Sequence, residues 1–197
     1  MSGKRRKHKE VSETKRGEGW SFRRTLIVVS LVFIILIIYG VWRSMQTPIK
    51  PSPSPSPQYE AAPTFTLTDI DGVSFSLEDF RGKVVILDFF YIRCPPCKGE
   101  ILHLLEVFKK YGSKGLVMIS ISVDPAYDTV QRLQNFREEN GIEWRIARDT
   151  AGVSEKYLIR AVPTIVIIDQ NGFIRYRHVG LTSASTLMEE VESLLGV

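Results

Sequence analysis

The sequence contains only two cysteines and three histidines among its 197 residues. Two cysteines cannot form a disulfide scaffold, and within one chain they cannot complete a four-cysteine zinc site. The fold must therefore depend on a hydrophobic core. Apolar residues make up 44% and charged residues 24%, values that exclude wholesale disorder and a collagen-like fibre. The length suffices for one ordinary domain with additional segments, not for two full domains.

Beyond the first 24 residues the sequence has no excess of basic side chains. Residues 1–24 contain nine Lys and Arg against three Glu, whereas residues 43–197 contain 17 Lys and Arg against 19 Asp and Glu. The net charge of +4 therefore comes from the N-terminal segment. The slightly acidic remainder gives no electrostatic basis for binding nucleic acid, and the basic segment is better explained as the flank of a membrane span.

Charged residues are absent from Thr25 to Trp42, a run of eighteen mostly apolar residues. At ~1.5 Å per residue such a helix is about 27 Å long, close to the ~30 Å hydrocarbon core of a bilayer. Aromatic residues lie near both ends, as they do at membrane interfaces: Trp20, Phe22, Tyr39 and Trp42. We predict one transmembrane helix over residues 25–45.

The basic residues are distributed unequally on the two sides of this span. Nine precede it, and only Arg43 and Lys50 lie in the fifteen residues that follow. The positive-inside rule predicts a cytoplasmic tail over residues 1–24 and an extracytoplasmic location for the remainder of a single-pass cell-membrane protein. A cleaved signal peptide is the alternative, but no A-x-A cleavage site follows the run, which favours an uncleaved signal-anchor.

Residues 46–59 include a proline-rich stretch from Pro48 to Pro57, half of which is proline. Such a stretch favours extended polyproline II over helix or sheet, and at ~3.1 Å per residue it forms a spacer of about 30 Å. A docking ligand for a proline-recognition domain is the alternative. We predict that the stretch separates the membrane span from a folded domain over residues 60–197.

In the folded domain, predicted strands alternate with predicted helices. Continuous apolar runs predict buried strands over residues 83–91 and 116–123, and helical stripes cover 97–111, 129–140 and 183–195. Shorter strands are predicted at 64–68, 73–76 and 144–147, a short helix at 150–157, and a hairpin of strands 164–169 and 173–179. This order predicts an α/β fold with a central mixed β-sheet flanked by helices.

Both cysteines lie in one motif, Cys94-Pro-Pro-Cys97, directly after a predicted buried strand and at the start of a helix. A thiolate at a helix N-terminus faces unpaired N–H groups and the positive end of the dipole, which lower its pKa. We therefore predict Cys94 as the exposed nucleophile and Cys97 as the resolving thiol, with Arg93 adding positive charge beside Cys94. A structural disulfide and half of an intermolecular zinc site are the alternatives, whereas haem attachment needs a histidine where Lys98 stands.

The segment 88–97, DFFYIRCPPC, and the later Val162-Pro163-Thr164 resemble the thioredoxin superfamily. The stretches APTFTLTDIDG, FRGKVVILDFF and AVPTIVIIDQNGFIRYRHVG are similar to its membrane-anchored TlpA/ResA type, a redoxin type related to AhpC-TSA proteins. The resemblance implies a thioredoxin-like fold and thiol–disulfide oxidoreductase activity through a redox-active Cys94–Cys97 disulfide, with no cofactor and no metal. It further implies that Pro163 is the cis-proline beside the disulfide and that the backbone of Val162 pairs with a substrate chain.

Two carboxyl groups complete the candidate site. Asp88 is a lone acid in an apolar strand, and the resemblance places it behind the second cysteine, where a desolvated carboxyl with a raised pKa transfers protons. Glu100 follows Cys97 by three residues, where the TlpA/ResA type has a glutamate that tunes thiol pKa values or contacts substrate. The alternatives are a structural role for Asp88 and a solvated position for Glu100. His103, on the same predicted helix, is expected at the surface.

Two other functions stay open at the level of sequence. A peroxiredoxin-type peroxidase needs Pro seven residues and Thr or Ser three residues before its cysteine, where this chain has Leu87 and Tyr91. An SCO-like copper-binding assembly factor uses C-x-x-x-C with a distant histidine, for which His178 is the candidate. The TlpA/ResA resemblance instead implies reduction of protein disulfides, including those of apocytochromes c before haem attachment, with electrons from a multispan donor of the CcdA/DsbD type.

Overall fold

The computed structural model describes residues 18–45 and 59–196, which form two separate units. The first contains helix α1 (Glu18–Met45), whose segment Arg24–Arg43 is long and apolar enough to cross a membrane. The apolar side chains of this segment are at least half exposed on every side of the helix, as a lipid-facing helix requires. The helix begins seven residues before the predicted span. Residues 1–17 of the predicted tail and 46–58 of the predicted linker lie outside the described residues.

The second unit contains all of the strands that the structure describes. Its strands are β1 (Thr66–Thr68), β2 (Ser74–Ser76), β3 (Val84–Phe90), β4 (Leu116–Ser122), β5 (Arg145–Arg148), β6 (Thr164–Ile168) and β7 (Ile174–Val179). Its α-helices are α2 (Pro95–Tyr111), α3 (Val130–Asn140), α4 (Val153–Lys156) and α5 (Ala184–Leu195). Two 3-10 turns, Leu77–Phe80 and Gly112–Lys114, complete the elements.

Five strands form the central sheet in the order β5-β4-β3-β6-β7, while β1 and β2 pair as a separate antiparallel hairpin. Strands β3, β4 and β5 are mutually parallel, and β6 and β7 run antiparallel to them. Helices α2, α3 and α5 contribute to the core on one face, which we call the helix face, whereas the β1–β2 hairpin and α4 cover the other. The predicted mixed sheet flanked by helices is confirmed.

The sequence of β3 explains why this strand is central. All seven residues of VVILDFF are buried, as expected for a strand covered on both sides. Side chains alternate between the two faces, so Ile86 and Phe90 pack on the helix face and Leu87 and Phe89 on the other. Asp88 lies two residues from both Ile86 and Phe90, so its side chain points to the same side of the sheet. Its carboxyl group therefore lies on the helix face, beneath α2.

Helix α2 begins at Pro95, two residues earlier than predicted, with Cys94 as its N-cap. Proline suits the first turn because the N–H groups there have no partner within the helix. The predicted short helix at 150–157 is only four residues long, since Gly152 adopts a left-handed conformation (φ 64°) at its N-cap. Both differences concern the ends of helices, where local capping competes with the helical pattern.

Candidate redox-active site

Cys94 and Cys97 form a disulfide at the N-terminus of α2, with an S–S distance of 2.05 Å. The amide N–H of Cys97 donates to the sulfur of Cys94 at 3.2 Å, and the amide of Cys94 donates to the Tyr91 carbonyl at 3.1 Å. The sulfur of Cys94 therefore occupies the anion-binding position at the helix end. Once the bond is reduced, this N–H group and the helix dipole favour the thiolate of Cys94.

Both cysteines are buried in the disulfide form, with 2% of Cys94 and 1% of Cys97 exposed. The prediction that Cys94 is the exposed member of the pair is therefore wrong for this form. The flanking Pro95 and Pro96 are exposed instead, so the disulfide lies just beneath the protein surface. The expected order of attack rests on the N–H contact to Cys94, not on a difference in exposure.

Arg93 does not have the role that its position beside Cys94 suggested. Its guanidinium group forms an ion pair with Asp124 at 2.7 Å, and it stacks on the ring of Tyr127 with the guanidinium carbon 3.8 Å from the ring centroid. The positive charge is thus largely neutralised by a nearby carboxylate. We conclude that the electrostatic effect of Arg93 on Cys94 is smaller than the sequence indicated.

The segment before β6 places backbone next to the disulfide. The peptide bond between Val162 and Pro163 is cis, and the carbonyl oxygen of Val162 lies 4.0 Å from the sulfur of Cys94. The Pro163 carbonyl accepts the amide of Gly180, which ties this segment to the end of β7. The backbone of Val162 therefore lies beside the Cys94 sulfur.

Asp88 is 1% exposed and lies between β4 and β6 in the middle of the sheet. One carboxyl oxygen accepts from the Ser120 hydroxyl at 2.8 Å, and that hydroxyl in turn accepts from the Trp144 indole at 2.9 Å. The other oxygen has no partner among the described residues. Burial raises the pKa of Asp88 to about 7, helped by the nearby charge of Glu100 and opposed by the Ser120 hydrogen bond. An acid of this kind exchanges protons near neutral pH.

Glu100 is buried, contrary to the solvated alternative, and 0% of it is exposed. One carboxylate oxygen accepts from the Thr182 amide at 2.7 Å, while the other has no partner among the described residues. Burial raises the pKa of Glu100, although the Thr182 bond and the charges of His103 and His178 oppose the shift. The two buried acids, Asp88 on β3 and Glu100 within α2, therefore both favour the protonated form more than free carboxyl groups do.

The two histidines of the domain have structural partners. His103 is half-buried, not at the surface as expected, and its Nδ1 lies 2.6 Å from the Thr182 carbonyl. The Nε2 atom of His178 lies 2.8 Å from a carboxylate oxygen of Glu190 on α5. Within residues 18–45 and 59–196, no group of three or more His, Cys, Asp or Glu is arranged to hold a metal ion.

Asp128, in the loop between β4 and α3, was not identified from the sequence. It is fully buried, and one carboxylate oxygen accepts from the Ile92 amide at 3.1 Å and from the Ser122 hydroxyl at 2.6 Å. The contact to Ile92 holds the backbone two residues before Cys94. The D-x-x-x-D spacing of Asp124 and Asp128 after a buried strand was the available signal, but similar loops occur without any link to a site.

Comparison with known proteins agrees with this geometry. The model of the AhpC/TSA family matches residues 59–177. The chain is similar to the thiol-disulfide oxidoreductase ResA of Halalkalibacterium halodurans, with 32% identity over 68% of this chain and 74% of the relative. It is also similar to the thioredoxin-like protein YneN of Bacillus subtilis, with 26% identity over 84% of this chain and 96% of the relative. The crystal structure of a thioredoxin-family thiol:disulfide interchange protein from Chlorobium tepidum covers 72% of this chain and 99% of its own, with 27% identity and a TM-score of 0.65.

Proposed function

The chain belongs to the AhpC/TSA family and is a ResA-like thiol–disulfide oxidoreductase with a thioredoxin-like fold, and we propose that it reduces protein disulfides outside the cytoplasm while anchored in the membrane by α1. The observation that carries the proposal is the disulfide at the N-terminus of α2, whose Cys94 sulfur accepts an amide N–H and lies 4.0 Å from the Val162 carbonyl. Both contacts suit a sulfur that exchanges disulfide partners.

The proposed exchange begins with both cysteines reduced. The Cys94 thiolate attacks one sulfur of the substrate disulfide, forms a mixed disulfide and releases the other substrate sulfur as a thiolate, which takes up a proton. Cys97 then loses its proton and attacks the Cys94 sulfur, which releases the second substrate thiol and restores the Cys94–Cys97 disulfide. Two electrons pass from the protein to the substrate. Asp88, beneath α2 with a pKa of about 7, is the proposed acceptor of the Cys97 proton.

The cellular setting follows from helix α1 and from the relatives. The segment Arg24–Arg43 is suited to span a bilayer, and eight basic residues precede it, which supports a cytoplasmic N-terminus. A reductase on the outer side needs electrons from within the cell, and one apolar helix carries no redox group. We therefore propose a multispan membrane donor of the CcdA/DsbD type, and apocytochrome c as one substrate class.

A peroxidase function receives no support from the geometry. The position seven residues before Cys94 is Leu87, which is completely buried on the face of β3 opposite α2. The position three residues before Cys94 is Tyr91, which cannot replace a small hydroxyl side chain. The P-x-x-x-T/S-x-x-C pattern of a peroxiredoxin is therefore absent before Cys94, and with it the hydroxyl group that would help to activate a peroxide.

Trapping experiments test the proposal. Cys97→Ser should accumulate mixed disulfides with protein substrates through Cys94, because the resolving thiol is absent, and Cys94→Ser should trap almost none. The double variant Cys94→Ser/Cys97→Ser is the matched control. More trapping by Cys94→Ser would reverse the assignment, and no trapping by either variant would refute the exchange function.

The direction of exchange is tested by the reduction potential of the pair. We expect a value near the thioredoxin value of about −270 mV, which is typical of a reductase. A value near about −120 mV would instead make the protein an oxidant, and the proposed electron donor would then have no function.

A further inference from the structure

Three buried side chains on the helix face form one hydrogen-bonded network: Trp144, Ser120 and Asp88. Asp88 on β3 and Ser120 on β4 are directly opposite each other in the parallel register, so their side chains lie on the same side of the sheet. The Trp144 indole N–H donates to the Ser120 hydroxyl oxygen at 2.9 Å, and the Ser120 hydroxyl donates to Oδ2 of Asp88 at 2.8 Å. Each of the three residues is at most 5% exposed, so the network is shielded from bulk water.

The chemistry of the three groups gives this network a single direction. An indole N–H can only donate, so the Ser120 oxygen is the acceptor at that end. The hydroxyl group has one hydrogen, and among the described residues the acceptor that it reaches is Oδ2 of Asp88. If Oδ2 carried the Asp88 proton and donated it to Ser120, the hydroxyl hydrogen would be buried without an acceptor, which folded proteins avoid. The proton of Asp88 is therefore expected on Oδ1.

Oδ1 is the oxygen that remains for proton transfer. It is buried and has no hydrogen-bond partner among the described residues, and it belongs to a side chain on the face that α2 covers. In the described part of the chain, the charged group that acts on Asp88 is Glu100 on α2, whereas β4 and β6 place the uncharged Ser120 and Ile165 opposite it. The core residues that α3 and α5 contribute on this face are apolar.

We propose that Ser120 and Trp144 are positioning residues that keep Oδ2 of Asp88 occupied as an acceptor. They thereby direct the proton released by Cys97 to Oδ1. This inference rests on the proposed exchange function, in which Asp88 takes that proton, and adds the residues that decide which oxygen takes it.

The resolving step is then complete in its atoms and electrons. The S–H bond of Cys97 breaks, an O–H bond forms at Oδ1 of Asp88, and the Cys97 thiolate attacks the Cys94 sulfur. The bond between Cys94 and the substrate sulfur breaks, and the substrate leaves as a thiolate that takes up a proton. The substrate sulfur is reduced, and the cysteine pair is oxidised to its disulfide.

Infrared spectroscopy of the oxidised full chain in detergent micelles tests the position of the proton, because neither cysteine titrates in that form. At about pH 5 Asp88 is protonated, and subtracting the spectrum of Asp88→Asn isolates its C=O band. With the proton on Oδ1, the C=O oxygen is Oδ2, which accepts from Ser120, and a hydrogen-bonded C=O absorbs at lower wavenumber than a free one. Ser120→Ala should therefore move the band to higher wavenumber. With the proton on Oδ2, the C=O oxygen would be Oδ1 and the band would stay in place.

Quenched-flow kinetics test whether the network governs the resolving step. The reduced full chain is mixed with bis(2-hydroxyethyl) disulfide, an uncharged probe, and mass spectrometry of acid-quenched samples separates reduced protein, mixed disulfide and oxidised protein. The rate from mixed disulfide to oxidised protein should rise with pH around a midpoint near the Asp88 pKa of about 7. Ser120→Ala should move this midpoint up by about one pH unit, because the ionised carboxylate loses a hydrogen bond. Trp144→Phe should move it in the same direction by less, since the Ser120 hydroxyl loses only its polarisation.

Ser122→Ala is the matched control for Ser120→Ala. Ser122 lies two residues further along β4, is completely buried, and donates to Asp128 instead of Asp88. This substitution should leave the carboxyl band and the midpoint of the resolving rate at their wild-type values. Ser120→Thr retains the hydroxyl group and should also preserve both values.

The outcomes separate this inference from the proposed function. An unshifted band or an unshifted midpoint in Ser120→Ala, or equal shifts in Ser122→Ala, would overturn the positioning role while leaving the exchange function intact. If Asp88→Asn resolves with the wild-type rate and pH profile, the Asp88 step of the proposed function fails, and the positioning role fails with it. If the reduced wild-type chain forms no mixed disulfide with the probe, the exchange function itself fails together with the inference that rests on it.

Discussion

The buried carboxyl group of Asp88 should make the stability of the domain depend on pH. Burial raises the pKa of this group from 3.8 to about 7 in the fold. Each tenfold change in proton affinity corresponds to ~1.4 kcal/mol, so keeping Asp88 ionised in the fold costs about 4 kcal/mol. Between about pH 4 and 7 the Asp88 carboxyl group is protonated in the native state and ionised in the unfolded state. The contribution of Asp88 to stability is therefore fully present below pH 4 and is lost as the pH rises through 7.

Asp88→Asn removes this titration. The amide oxygen of Asn keeps the acceptor for the Ser120 hydroxyl, but its buried NH₂ group gains no partner, which costs roughly 1–3 kcal/mol at every pH. We expect the variant to be less stable than wild type near pH 5 and to be equally or more stable near pH 8.5. The decisive quantity is the slope of stability against pH, because the unpaired NH₂ group affects only the intercept.

Trp144 provides the assay. Its indole donates to the Ser120 hydroxyl, and that hydroxyl donates to the Asp88 carboxyl group. In a Trp20→Phe/Trp42→Phe background it is the only tryptophan, and its fluorescence reports urea unfolding of the oxidised domain. Ser120→Ala removes the bond that lowers the pKa of Asp88, so the loss of stability should extend to higher pH than in the wild type. Identical slopes for wild type and Asp88→Asn between pH 5 and 8.5 would show that Asp88 titrates like a free carboxyl group, and would refute its role as a proton acceptor near neutrality.

Three further predictions concern residues outside the pair. Asp128→Ala should leave the Ile92 amide without its acceptor, lower the unfolding free energy by about 1–3 kcal/mol and slow the reduction of substrate disulfides. The control Asp124→Ala should have much smaller effects. Equal effects of the two substitutions in urea unfolding and in kinetics would contradict a special role for Asp128. Glu100→Ala should destabilise the chain more than Glu100→Gln, because Gln retains an acceptor for the Thr182 amide, and equal losses on urea unfolding would contradict that contact. Alkaline phosphatase fused after Pro57 should be active and fused before Arg24 inactive, and the opposite pattern would place the cysteines in the cytoplasm.

Much of the fold could be predicted because its signals are local. The apolar run of β3, the stop at Gly141 after α3 and the turn between β6 and β7 each depend on a few neighbouring residues. The site could be located for the same reason, since both cysteines occur in one motif at a strand-to-helix junction. The burial of Asp88 also follows from its place in an apolar strand.

Contacts between distant segments could not be predicted from local patterns. Arg93 pairs with Asp124, 31 residues later. The sequence alone does not show this partner, so it overstates the effect of the Arg93 charge on Cys94. Glu100 is buried because its carboxylate binds the Thr182 amide, 82 residues away, although its position on an amphipathic helix is compatible with solvent. The pocket beside the disulfide likewise combines residues before α2, after β4 and before β6, which only the folded sheet brings together.

These distant contacts bear on the direction of exchange. A dithiol becomes a strong oxidant when its reduced form is stabilised by a low thiol pKa. Here the N-terminus of α2 favours the Cys94 thiolate, but Arg93 is neutralised by Asp124, and two buried acids are close to the same helix end: Asp88 on β3 and Glu100 within α2. Negative charge on these acids opposes ionisation of the cysteines, so the reduced form receives less stabilisation than the helix end alone would provide. The folded surroundings of the motif therefore support the proposed role as a reductant, whereas the motif alone is compatible with either direction.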